Sequence, residues 1–80
     1  AELYAQSALI TLQEGNEEQA RQRLSSYTRI AGPAGTSAVA RYLQAYEASI
    51  RVEGDGLSQQ EQLENASFVK KIKRLRNDLH

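Results

Sequence analysis

Gln13-Glu14-Gly15-Asn16-Glu17-Glu18 divides two stretches whose apolar residues recur at helical spacing, and Gly32-Pro33 closes the second of them. Gly15 supplies the backbone freedom that ends a helix, and Asn16 is a good cap for the next. Glu17 and Glu18 fall where the positive end of a helix dipole favours acids. The stretch reads as helix, tight turn, helix, stop.

Toward the N-terminus, Leu3, Tyr4, Ala5, Ala8, Leu9, Ile10 and Leu12 cover well over half the circumference of a first helix. So wide a stripe suits a helix with neighbours on two sides, or one that has lost a neighbour. Downstream, Ala20, Leu24, Tyr27 and Ala31 mark the buried face of a second helix, expected from Glu17 to Ile30. Gly32-Pro33 ends it, because proline lacks an N–H and disfavours helical geometry in the residue before it. Thr36 or Ser37 then caps a third helix with Val39, Tyr42, Leu43, Tyr46 and Ile50 on one face. Glu53-Gly54-Asp55-Gly56 is the strongest turn signal in the chain. Ser58 with Glu61 three residues later fits a capping box for a fourth helix reaching Asn77. Phe68, Ile72, Leu75 and Leu79 form its apolar stripe, widened by Leu63, Ala66 and Val69. The predicted fold is all-α: four helices as two antiparallel helical hairpins, residues 2–31 and 36–79, in one domain spanning 1–80.

Eighty residues suffice for one domain with a thin core. The chain opens at Ala1 and holds no methionine, which reads as an excised piece of a longer protein. Without cysteine there is neither a disulfide framework nor a thiolate metal site. No apolar run approaches the ~18 residues that span a bilayer, so a soluble domain is expected; the compartment stays open, with the cytoplasm slightly favoured over the periplasm. Ten basic and ten acidic residues balance, yet residues 1–69 carry five basic and nine acidic side chains. Residues 70–80 reverse this, with Lys70, Lys71, Lys73, Arg74 and Arg76 against Asp78 alone.

Residues 1–33 resemble a tetratricopeptide repeat, a helix-turn-helix unit of about 34 residues with large and small side chains at fixed offsets. Tyr4 matches the early aromatic, Ala8 the small residue after it, Gly15 the turn, Ala20 the small crossing point, Leu24 the large residue that follows and Pro33 the closing proline. Thr11 and Tyr27 depart from the pattern. Over residues 34–80 the likeness is faint, and an unrelated four-helix arrangement obeys the same local rules. The resemblance implies a right-handed stack of hairpins that binds a partner helix or peptide in a groove between the first and third helices. It places Gln6, Leu9, Leu12, Gln13, Arg41 and Gln44 along that groove, with Leu9 and Leu12 giving apolar burial and the polar residues setting orientation. A clamp for a terminal carboxylate is not implied, because Ala5 and Leu9 stand where some members carry its Lys and Asn.

Catalytic constellations are sparse. His80, the only histidine, is the last residue, which leaves no base for a triad and no centre for a metal cluster. Glu17 with Glu18 and Glu61 with Glu64 read as solvated helix faces. The glycines of Gly32-Pro33-Ala34-Gly35-Thr36 lack the lysine and preceding strand of a phosphate-binding loop. The expected function is therefore a non-catalytic protein–protein interaction module, without cofactor or metal, acting as an adaptor, chaperone-like unit or assembly scaffold. Two alternatives stay open. Lys70, Lys73 and Arg74 form a basic patch opposite the apolar stripe, which suits an acidic protein surface, nucleic acid or an anionic membrane, or simply the negative end of the helix dipole. The wide apolar surface of the first helix suits a homo-oligomer.

Overall fold

The protein, described over residues 2–79 by a computed structural model, is a bundle of three helices, with no strand among those residues. α1 spans Glu2–Gln13, α2 Glu17–Ser49 and α3 Gln59–Asn77. The all-α class is as predicted. The turn at residues 14–16 also forms, with the Asn16 N–H donating to Thr11 O at 3.1 Å and Asn16 Oδ1 accepting from the Gln19 N–H at 3.2 Å.

Four helices in two hairpins do not form, and the difference lies at Gly32-Pro33. α2 does not stop there; it bends and resumes at once. Gly32 adopts φ 78° and ψ −165°, a combination open essentially to glycine alone. Pro33 then stands at the start of the next turn, where a missing N–H costs nothing and the fixed φ is already helical. Thr36, expected as a cap, lies inside the helical run, and its Oγ1 donates to Gly32 O at 3.1 Å. Ala31, expected to be buried, is exposed beside the bend.

The sharpness of the bend follows from what α2 touches. Tyr27 stacks on Tyr4 and Arg23 Nη1 donates to Ser7 Oγ at 2.6 Å, whereas Tyr46 Oη accepts from Gln13 Nε2 at 3.3 Å. On a straight helix residues 23 and 46 would be about 34 Å apart, while residues 7 and 13 of α1 are about 9 Å apart. Both limbs of α2, residues 17–31 and 33–49, must therefore pass along the same α1. The first runs antiparallel to α1 and the second parallel. Gly35 permits their close approach: a Cβ there would overlap the Ala31 side chain and come within 3.4 Å of the Tyr27 ring.

The core lies where α1, the two limbs and α3 meet. Ala5, Ala8 and Ala20 are fully buried and let α1 and α2 close together. Leu9, Leu12, Leu24, Val39 and Leu43 fill the space around them. α3 adds Ile72 and Leu75, with Phe68 and Leu79 packed at the edge. Ser58 starts it as read: its Oγ accepts from the Glu61 N–H at 3.1 Å and the Glu61 carboxylate returns to the Ser58 N–H. Leu63, placed in the stripe by its spacing, is 62% exposed and lines a surface depression beside Gln13 at the end of α1. The connection before it is tied by Arg51, whose Nη2 donates to Asp55 O at 3.1 Å and whose carbonyl accepts from Asn65 Nδ2 at 2.8 Å.

Candidate functional site

The parallel course of α1 and residues 33–49 leaves a seam along the surface. At one end Glu2, Ala38, Arg41, Tyr42 and Ala45 line a depression of about 450 Å³. At the other, Gln6, Leu9, Ile10, Gln13, Tyr42 and Tyr46 line a smaller one of about 180 Å³. Tyr42 lines both, and the two depressions together flank α1 from Glu2 to Gln13. The hydrogen bond from Gln13 to Tyr46 bridges the far end of the seam.

Gln6, Gln13 and Arg41 line this seam and are exposed. Gln44 is exposed but lies outside both depressions. Leu9 and Leu12 are placed differently from the expectation. They are only 4% and 1% exposed, because the bend in α2 puts a limb on each flank of α1 and closes over both leucines. Leu9 forms the floor of the smaller depression, and Leu12 belongs to the core. The apolar surface comes instead from Ile10, 56% exposed, and the ring edges of Tyr42 and Tyr46. Helical spacing could have found Ile10, which follows Gln6 by four residues and precedes Gln13 by three.

The basic patch is largely spent inside the molecule. Arg74 grips Glu17 with two hydrogen bonds, Nε to Oε1 at 2.9 Å and Nη2 to Oε2 at 3.1 Å. Arg76 Nη1 donates to Glu47 Oε2 at 2.9 Å, and Lys73 Nζ lies 3.7 Å from the other oxygen of that carboxylate. Arg21 of α2 reaches Asp78 at 2.7 Å, an ion pair whose N–H points off the contact line. Among the described residues Lys70 and Lys71 make no ion pair. The bidentate grip of Arg74 holds the Glu17 carboxyl below the usual carboxylate range, a shift opposed by partial desolvation and reinforced by the charges of Arg74, Arg21 and Lys71. Reciprocally, the hydrogen bond to Glu17 raises the Arg74 guanidinium.

Among the described residues no group of three or more His, Cys, Asp or Glu side chains could hold a metal ion, and no helix is long and apolar enough to cross a membrane. His80, named above as the only histidine, lies outside the described residues. No protein-family model, curated protein or solved structure matches the chain.

Proposed function

We propose that the protein is a non-catalytic interaction module that takes an amphipathic helix or peptide of a partner protein into the seam between α1 and residues 33–49. The observation that carries this reading is the pair of depressions along α1 that share Tyr42, with exposed Ile10 lining one of them. At about 1.5 Å per residue α1 is about 18 Å long, room for three turns of a bound helix. An apolar residue of the partner would rest on Ile10, Tyr42 and Tyr46, and an acidic one would face Arg41. The internal pairing of Arg74, Lys73 and Arg76 weighs against α3 as a phosphate-binding surface.

A photo-crosslinking residue placed at Gln6 should trap a partner in native extract that the same group at Gln60, on α3, does not trap. Ile10→Asp, at an exposed position, should abolish that crosslink while the helical circular dichroism is kept. Equal trapping from both positions, or indifference to Ile10→Asp, would overturn the seam. A second reading, self-association, draws on Leu3 and Ile10, a heptad apart on α1 and 78% and 56% exposed. It requires sedimentation that changes with concentration and returns to monomer in Ile10→Asp.

A further inference from the structure

The other flank of α1 carries a second groove, of about 460 Å³, bounded by Tyr4 and Ser7 of α1 and by Gln19, Gln22, Arg23 and Ser26 of α2. Its lining is more polar than that of the seam, and it holds one charge, Arg23, and no acid. Among the described residues Arg23 has no carboxylate within ion-pair distance. A cation in a groove whose lining carries no acid is an electrostatic preference that the fold itself leaves unmet.

The hydrogen bonds around the groove sharpen that preference. Ser7 Oγ accepts from Arg23 Nη1, so its own O–H is left to donate elsewhere. Gln19 Oε1 accepts from Asn16 Nδ2 at 3.0 Å, which fixes the oxygen toward Asn16 and leaves the NH2 free to donate. Each of these two lining residues thus accepts one internal hydrogen bond and has its donor unused. With the remaining guanidinium N–H groups, the groove presents donors in excess around one positive charge, which is what a carboxylate needs. We infer that this groove binds an acidic peptide segment through a side-chain carboxylate, with Arg23 as its anchor and Ser7 and Gln19 as flanking donors.

A peptide fits better than a free anion. One cation in an open groove attracts a small ion weakly in water at about 0.15 M salt. Affinity must come from contact beside the charge, and Tyr4 provides it. Its ring is half exposed and held in place by stacking on Tyr27, centroids 4.4 Å apart with planes inclined by 23°, so it forms a pre-ordered apolar wall of the groove. An acidic residue next to an apolar one meets both features.

The test is an amide-shift titration of the whole protein by NMR with acetyl-Ala-Leu-Glu-Leu-Ala-amide, its Gln counterpart, sodium acetate and inorganic phosphate. The Glu peptide should shift the signals of Ser7 and of residues 19–26, and the Gln peptide should bind about tenfold more weakly or worse. Arg23→Gln should cause a loss of the same size, while Arg29→Gln, at an exposed position outside the groove, changes nothing. Ser26→Asp supplies an internal carboxylate for Arg23 and should abolish binding independently. Equal binding of the Gln peptide, or unchanged affinity in Arg23→Gln, would overturn the inference. Equal shifts with acetate or phosphate at the same concentration would also overturn it, since the groove would then hold free anions. A failure here leaves the seam on the other flank untouched, because Arg23 takes no part in it.

Discussion

Gly32 decides the path of the chain by the sign of one dihedral angle. With φ 78° and ψ −165° it occupies a region where a residue with a Cβ costs about 1–3 kcal/mol. Beyond the adjoining backbone nothing lies within 4 Å of the place a Cβ would take, so the cost of Gly32→Ala is backbone strain rather than a clash with packed side chains. That variant should lose about 1–3 kcal/mol in urea unfolding; an unchanged midpoint would mean that the corner can form without a left-handed residue. Gly-Pro is read from sequence as a stop because both residues disfavour a continuous helix. The same two residues also make a corner, glycine turning the chain and proline opening the next turn. Nothing local distinguishes the two outcomes; what selects the corner is the return of Val39 and Leu43 to the same core as Leu24, a contact between distant parts of the chain.

At the level of elements, the caps at Asn16 and Ser58 were legible, whereas the cap expected at Thr36 and the charge partners were not. Asn16 and Ser58 bond to N–H groups three residues away, so the pattern that encodes each cap is complete within one turn. Arg74 and Glu17 are separated by 57 positions, and only the packed bundle brings them together. α3 accordingly depends on a few buried side chains, Ile72 and Leu75 chief among them, and on a rim of ion pairs to α2. The Glu17 carboxyl is held low by the Arg74 hydrogen bond, so its contribution is complete above the ordinary carboxylate range and is lost as the pH falls through the lowered value. Wild-type protein should therefore melt above Glu17→Gln at pH 7, and the gap should close as the solution is acidified. The gap should be small, since both partners keep contact with water. A difference that persists in strong acid would assign the effect to packing instead.

The whole molecule measures 42 × 21 × 19 Å with a radius of gyration of 13.0 Å, longer than the about 12 Å expected of a compact chain this size. Its length comes from laying helices side by side around a narrow core, which also explains why grooves line its flanks. Such a core has little redundancy. Leu43 is fully buried, and Leu43→Ala should cost about 2–5 kcal/mol against a total stability of about 4–12 kcal/mol. Thermal unfolding should fall by well over ten degrees, or the variant should be partly unfolded at room temperature; a shift of only a degree or two would mean that the site collapses to fill the void. The two aromatic contacts give such experiments a local readout. The chain has no tryptophan, so its near-ultraviolet signal belongs to four tyrosines and one phenylalanine. The face-to-face pair of Tyr4 and Tyr27 straddles α1 and α2, and the edge-on pair of Tyr46 and Phe68 straddles α2 and α3. Each interface thus carries its own chromophore, and tyrosine-to-phenylalanine replacements at Tyr27 or Tyr46 would silence them one at a time, letting light absorption record which joint of the bundle opens first.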